Sequence, residues 1–200
     1  MTLRKPLGEV RTAALRAAEL IVVEEGFAAL TARRVAAEAE CSVGTLYNVF
    51  GHLDGLINEV NLLTLRMLGD EVAVTVAKLP DDARRETRLS ALAQMYLRFA
   101  RTHRNRWSAL FEHRPATENS RQQSVEQLIF GRIVAAAGIN PADITARDAD
   151  SLRMLLAAIH GVVAFSVNRT IPSKEAERYV SLIVQAGVRG YREMVEEGLL

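Results

Sequence analysis

The chain has 200 residues, 49% of them hydrophobic, and a formal net charge of only +1 at pH 7. A chain of this length and composition can bury a substantial core, which excludes disordered and fibrous classes. The single cysteine excludes an internal disulfide framework, and the four histidines do not cluster, so we predict neither a metal site nor a cofactor.

No early segment resembles a signal peptide, because the most apolar stretch, 13–23, is interrupted by Arg16 and Glu19. The longest near-uniform apolar run, 155–167, is shorter than the roughly 20 residues needed to cross a bilayer. We therefore expect a cytoplasmic protein without a membrane span.

Charge gives no reason to expect nucleic-acid binding. Residues 1–60 contain six basic side chains against eight acidic ones. A prediction of DNA binding therefore has to depend on the spacing of particular residues.

Segments rich in Ala, Leu, Arg and Glu recur at helical spacing, and the prolines lie only at breaks, so the predicted fold is all-α. The first helix is predicted over about 9–25, with Gly26 as its stop. Two short helices follow over about 31–39 and 42–49, each with a hydroxyl side chain at its capping position. Two short helices joined by a tight turn form a helix-turn-helix, which presents its second helix to a major groove.

A long helix is predicted over about 53–77, ending before Pro80. We interpret it as the connector between a DNA-binding domain, 1–52, and a C-terminal domain for ligand binding and dimerisation, 53–200. Thr145 and Asp148 form a predicted capping pair for the penultimate helix. The remaining helices are predicted at about 82–102, 106–113, 119–137, 146–170 and 174–197.

The segment GFAALTARRVAAEAECSVGTLYNVFGHLDGLI, residues 26–57, resembles the N-terminal signature of the TetR family of transcriptional regulators. In that signature a Gly-Phe pair ends the first helix, a Thr caps the second, and a Gly-Thr-Leu-Tyr run forms the recognition helix. The resemblance implies a homodimer that binds a palindromic DNA operator and is released from it by a small molecule. The matching residues are Gly26, Phe27, Thr31, Ala36, Ala39, Gly44, Thr45, Leu46, Tyr47 and Phe50.

The chemistry of this segment fits DNA binding. Gly44 has no side chain and lets the backbone approach DNA, while Tyr47 and Asn48 offer polar groups to phosphates or base edges. Leu46 and Phe50 are expected to pack inward. The predicted DNA-binding residues are Arg4, Lys5, Thr31, Arg33, Arg34, Ser42, Val43, Gly44, Thr45, Tyr47, Asn48 and His52.

Three positions depart from the family pattern. Glu40 replaces the turn glycine, at a cost of about 1 kcal/mol if the left-handed conformation is kept. Val49 stands where the family usually has Tyr or His, and Leu53 stands where it has lysine. Two common phosphate contacts are thus absent, which predicts modest non-specific affinity for DNA.

The run from Leu155 to Val167 is apolar on every side, so the helix containing it is expected to be buried on two faces, by its own core and by a partner subunit. The last helix carries an apolar stripe with Gly187 in it. Two such terminal helices per chain fit the four-helix dimer interface of the family, and a two-fold dimer implies a two-fold operator. The predicted interface residues are Val163, Val180, Ile183, Val184, Gly187 and Tyr191.

Trp107 and the pair His160-Gly161 resemble a TetR C-terminal subgroup marked by a Trp and a His-Gly. Apolar residues in the C-terminal half have two interpretations: they line an effector pocket, or they are plain core. His160 likewise either contacts a ligand or is a buried histidine bonded to a neighbour. The candidate ligand-binding residues are Met95, Phe99, Trp107, Phe111, Phe130, Met154, His160 and Phe165.

The sequence bears on three classes of function: an enzyme, a DNA-binding regulator and a helical adaptor. An enzyme is not predicted, because the sequence has no phosphate-cradling glycine loop, no nucleophile elbow and no convergent polar groups. A ligand-responsive transcriptional regulator, a repressor by family frequency, is the prediction. The alternative is a helical ligand-binding or adaptor protein that kept the fold but lost DNA binding.

Overall fold

A computed structural model describes residues 6–113 and 120–197, and within those ranges every regular element is helical. The predicted all-α fold is therefore confirmed. Arg4 and Lys5, predicted to contact DNA, lie outside the described residues. The helices are α1 (Leu7–Glu25), α2 (Ala32–Glu38), α3 (Val43–Phe50), α4 (Leu53–Ala77), α5 (Arg85–Thr102), α6 (Arg104–Glu112), α7 (Ser120–Ala136), α8 (Ala146–Val167) and α9 (Ser173–Glu196).

The chain forms two compact units. The first comprises Met1–Met67 with His103–Val125, and the second comprises Leu68–Thr102 with Glu126–Leu200. Each unit is thus built from two stretches of chain. The predicted division into 1–52 and 53–200 concerns domains, which these packing units do not test, and it stays a prediction.

The first unit is built around the interior face of α1. This helix ends at Glu25 and is capped by Gly26, whose φ of 89° is a left-handed value that favours glycine. Val22 on α1 lies in one core with Val35 on α2 and Leu46 on α3, and all three are at most 1% exposed. Burying these apolar side chains fixes the positions of α2 and α3 on α1.

The two capping hydroxyls lie where the sequence predicts them. The Thr31 side chain accepts a hydrogen bond from the backbone N–H of Arg34 at 3.3 Å, and Ser42 accepts one from Thr45 at 3.0 Å. Between the two helices Glu40 has φ 51°, so the turn keeps its left-handed conformation without glycine. The strain predicted for Glu40 is therefore present in the structure.

The second unit contains the packed helices α5, α8 and α9. The predicted capping pair is confirmed, because Thr145 and Asp148 form a reciprocal capping box at the start of α8. A Cβ on Gly187 would lie 2.9 Å from Cδ1 of Leu155. The absence of a side chain at Gly187 thus serves the approach of α9 to α8 within one subunit.

Helix α8 is long and apolar enough, by length and composition alone, to cross a membrane. Only 28% of its most apolar window is buried within the subunit. The core helix of a soluble protein satisfies the same criterion, so the apolar character of α8 by itself does not identify a span. What it does establish is an apolar helix with a large uncovered face.

Candidate DNA-binding face and effector unit

Helix α3 has one buried face and one exposed face. Leu46 is 1% exposed and packs in the core of the first unit, with Phe50 half-buried beside it, as predicted. On the opposite side Gly44, Tyr47 and Asn48 are exposed. Positions three and four residues apart share a helix face, so these three form one outward surface.

The exposed surface is suited to close contact with a polar partner. A Cβ at Gly44 would meet only the Ser42 hydroxyl, at an ordinary 3.7 Å. Oγ of Ser42 and Oγ1 of Thr45 are 2.9 Å apart and share a hydrogen bond. The two hydroxyls therefore support each other, and the exposed Tyr47 and Asn48 extend the polar surface of α3.

Two arginines of the first unit, Arg34 on α2 and Arg11 on α1, are paired with carboxylates. Arg34 donates to both carboxylate oxygens of Glu25, one of these bonds measuring 2.6 Å. Arg11 pairs with Glu59, and its guanidinium carbon lies 5.1 Å from the ring centroid of Phe50. Arg34 was a predicted DNA contact, but neither ion pair was predictable, because pairing across 9 or 48 residues leaves no local signal.

The remaining predicted contacts take different environments. Arg33 and His52 are exposed, Val43 is half-buried, and Thr31 has its hydroxyl engaged in the α2 cap. Leu53, which stands in place of a lysine, packs against the core of the first unit instead of reaching outward. Leucine at this position thus adds apolar contact to the core where a lysine would offer a charge to DNA.

Helix α6 is anchored to α1 in the first unit, a contact that no local pattern in the sequence predicted. Arg106 forms an ion pair of 2.6 Å with Glu19, and the Asn105 side chain donates to the Val23 carbonyl at 2.9 Å. Ala109 is 1% exposed and lies in the same core as Leu46. The segment preceding and following Trp107 is therefore part of the unit that carries the helix-turn-helix.

A histidine with a buried side chain follows the last residue of α6. His113 has a side chain that is 6% exposed, lies against the ring of Phe27, and has Nε2 4.0 Å from Asp54. Burial lowers the pKa of His113, and the negative charge of Asp54 opposes this shift less strongly. His113 is therefore held neutral by its surroundings near pH 7.

The eight candidate ligand-binding residues do not gather into one pocket. Trp107 and Phe111 contact each other in the first unit, with ring centroids 4.8 Å apart. Phe165, which was predicted to line a cavity, is 56% exposed. Met154 is 74% exposed and lies on the wall of an open groove between α8 and α9. Helical spacing identifies a face of a helix but not what lies opposite it. The other four lie in the second unit, with Met95 and Phe99 buried and Phe130 and His160 half-buried.

His160 has a polar neighbour inside the second unit. Nδ1 of His160 is 2.9 Å from the Tyr96 hydroxyl, and the two rings stack with centroids 6.2 Å apart. Burial lowers the pKa of His160. The pair joins α5 to α8, and Tyr96 was not identified from the sequence because nothing local links it to His160.

An apolar groove of about 340 Å³ lies between α8 and α9. Among the predicted interface residues, Ile183, Gly187 and Tyr191 line it. The other three, Val163, Val180 and Val184, have 0% exposure within the single subunit. A side chain with no accessible surface cannot supply contact area to a partner, so their assignment to the interface is corrected to the subunit core.

The large apolar side chains exposed on α8 and α9 are not among the predicted interface residues. Leu182 is 51% exposed, and Met154 and Phe165 add a larger uncovered surface on α8. Tyr191 marks the polar end of the groove, where its hydroxyl donates to Asp148 and Arg85 lies over its ring. Because the apolar run on α8 extends around the helix, periodicity alone could not tell the inner residues from the outer ones.

These features define a helical protein whose helix-turn-helix exposes a polar recognition surface. Comparison with protein families gives two matches, "Bacterial regulatory proteins, tetR family" over residues 14–60 and "Tetracyclin repressor-like, C-terminal domain" over residues 89–187. The chain belongs to the TetR family and is a transcriptional regulator. The resemblance predicted from residues 26–57 is thereby confirmed.

Solved structures share the fold at low sequence identity. A protein of unknown function from Rhodococcus sp. RHA1 aligns with a TM-score of 0.70 at 22% identity, covering 94% of this chain and 96% of its own. A TetR transcriptional regulator from the same organism gives 0.65 at 18%, covering 92% and 97%. A TetR family transcriptional regulator from Thermus thermophilus gives 0.60 at 17%, covering 86% and 97%. A search of curated proteins found no match.

Proposed function

We propose that the protein is a cytoplasmic, ligand-responsive repressor whose homodimer binds a palindromic operator through α3. The observation that carries the proposal is the exposed surface formed by Gly44, Tyr47 and Asn48 on a helix whose other face is locked into the core by Leu46. Such a helix presents polar groups to base edges without rearranging its own packing.

Operator binding is tested with duplex DNA from the region upstream of the gene itself. Fluorescence anisotropy should show tighter binding to a subset of these fragments than to random duplex at the same salt concentration. Asn48→Ala should lose about 1 to 3 kcal/mol of this discrimination if its amide reads a base. A protein that binds no duplex at low salt would instead favour the adaptor alternative.

The dimer is proposed to form through the uncovered faces of α8 and α9. Met154, which lines the groove, and Phe165 and Leu182 expose apolar surface on these two helices, and membership of the TetR family implies a dimer. A two-fold contact between these faces would remove that surface from water and place two recognition helices in one assembly.

Sedimentation velocity tests the interface with two matched leucines. Leu182→Glu should convert dimer to monomer, because the carboxylate would be buried against apolar surface. Leu128 on α7 is 56% exposed, so Leu128→Glu is a control of equal chemistry and similar exposure. Retention of the dimer by both variants would exclude the α8–α9 face.

The effector is proposed to be an apolar or amphipathic small molecule bound in the second unit. The Tyr96–His160 pair supplies polar groups on helices that also bury Met95 and Phe99, and ligand sites of this kind combine apolar walls with a few polar groups. Helix α4 begins in the first unit and ends in the second. A displacement of α4 would change the separation of recognition helices, which must be about 34 to 36 Å to enter successive major grooves.

Calorimetric titration tests this coupling once a compound has been selected by its effect on thermal unfolding. Linkage requires the operator to weaken binding of the compound by the same factor by which the compound weakens operator binding, typically about 1 to 3 kcal/mol. His160→Phe should reduce the affinity for the compound while leaving operator binding unchanged. Equal affinities with and without operator would exclude the coupling.

A further inference from the structure

We propose that Glu25 is a built-in competitor of DNA, which weakens phosphate binding by occupying the guanidinium of Arg34. The inference rests on the proposed function, since it concerns the strength of DNA binding and not its existence. It assigns a role to a carboxylate that lies outside the helix-turn-helix itself, at the end of α1.

The local fold brings the two side chains together. Glu25 is the last residue of α1, and Arg34 lies in the first turn of α2. Between them the chain reverses at Gly26, with φ 89°, and passes through a short 3-10 turn over Phe27–Ala29. The connection between α1 and α2 therefore places Glu25 and Arg34 side by side.

The geometry of the pair occupies the end of the guanidinium used for bidentate binding. Nη1 of Arg34 donates to Oε2 of Glu25 at 2.6 Å, and Nη2 donates to Oε1. A phosphate bound bidentately at this end of the guanidinium would need the same two donors. The Nε edge keeps further donors, but a phosphate there would lie beside the carboxylate charge of Glu25. Carboxylate and phosphate are thus alternatives at the Nη1–Nη2 end of Arg34.

The electrostatics favour competition over assistance. Hydrogen bonding from Arg34 lowers the pKa of Glu25, so the carboxylate stays ionised at neutral pH. A carboxylate held beside a DNA phosphate adds repulsion, and residues 1–60 already contain more acidic than basic side chains. The Arg34–Glu25 pair is neutral as a whole and contributes no net positive charge to the approach of DNA.

The competition is expected to be moderate, because both side chains are exposed, at 38% for Arg34 and 44% for Glu25. Exposed ion pairs correspond to effects of about fivefold or less in an equilibrium constant. Phosphate contacts carry no sequence information, so the weakening applies to all duplexes and lowers non-specific binding.

The test is a double-mutant cycle measured on a random-sequence duplex by fluorescence anisotropy. Glu25→Gln keeps the shape and removes the charge, and Glu24→Gln removes the same charge from the neighbouring exposed residue as a control. Glu25→Gln should tighten DNA binding about two- to fivefold more than Glu24→Gln does. In an Arg34→Gln background the two substitutions should have equal effects.

Salt dependence gives a second readout. The slope of log affinity against log salt should become steeper in Glu25→Gln, by up to about 0.9 for one further phosphate contact. Weaker binding by Glu25→Gln, or an effect equal to that of Glu24→Gln with Arg34 present, would overturn the inference while wild-type binding to the upstream duplex still supports the proposed function. Absence of duplex binding by all variants would overturn both.

Discussion

The neighbouring residues Leu46 and Tyr47 should separate folding from DNA recognition. Leu46 is 1% exposed in the core of the first unit, whereas Tyr47 is 41% exposed on the recognition surface. Leu46→Ala removes buried apolar volume and should destabilise the protein by about 2 to 5 kcal/mol. Tyr47→Ala should change stability by less than about 1 kcal/mol, because its side chain remains accessible to water in the folded subunit.

For DNA binding, the direct effect should come from Tyr47 and not from the buried Leu46. Loss of the Tyr47 side chain should cost about 1 to 3 kcal/mol of operator binding, the range for a well-placed polar contact. Tyr47→Phe separates the hydroxyl from the ring, since only the hydroxyl donates or accepts hydrogen bonds. If the hydroxyl makes the contact, Tyr47→Phe should reproduce most of the loss seen for Tyr47→Ala.

Urea unfolding followed by tryptophan fluorescence measures the stability arm at fixed protein concentration. Trp107 is the only tryptophan and is 4% exposed in the first unit, so its emission should report exposure of that unit. A fall in unfolding midpoint for Tyr47→Ala as large as that for Leu46→Ala would refute the assignment of Tyr47 to the exposed surface. Operator affinity equal to the wild type in Tyr47→Ala would refute its role in recognition.

Three further predictions concern stability. Arg101 on α5 bonds to Ser166 on α8 and to Ser173 and Glu177 on α9. Arg101→Met should lower the free energy of unfolding in urea by about 2 kcal/mol, and the exposed control Arg98→Met by under about 0.5 kcal/mol. Equal losses for the two variants would exclude the bridging role of Arg101. Glu40→Gly should raise stability by about 1 kcal/mol by relieving the left-handed strain, which a lower thermal midpoint would contradict. Because burial lowers the pKa values of His113 and His160, the unfolded state binds more protons, so stability should fall as pH drops below about 6.5, and replacing both by Gln should flatten that dependence.

The helices were predictable where local chemistry determines them. Helix α4 lies at Leu53–Ala77, the predicted bounds, because an uninterrupted helical pattern stands ahead of Pro80. Thr31, Ser42 and the pair Thr145–Asp148 cap their helices as expected, since capping acts over three residues. The left-handed turn at Glu40 was expected from the resemblance, because the family has a glycine at this position.

Contacts across long separations were not predictable in the same way. The pairs Arg34–Glu25 and Tyr96–His160 join residues on different helices, and no periodicity in the sequence marks them. On α8, Val163 faces inward and Met154 outward although both are apolar. The hydrophobic pattern predicts how much apolar surface a helix carries, but the packing of the other helices decides which part of that surface is covered.

Helix α6 directly follows α5, the helix of the proposed effector site, and is itself fixed to α1. Helix α5 carries Tyr96 and ends at Thr102, and α6 begins at Arg104, so one residue separates the proposed effector helix from a helix fixed to α1. Arg106 and Asn105 hold α6 to α1 by side-chain bonds, with Ala109 buried in the core that also contains Leu46. A movement of α5 would therefore be passed by covalent connection to the helix-turn-helix unit, independently of α4. The chain passes between the two units at three places, within α4, between α5 and α6, and within α7. The proposed effector therefore has covalent routes to the unit that carries α3 that do not require α4 to bend.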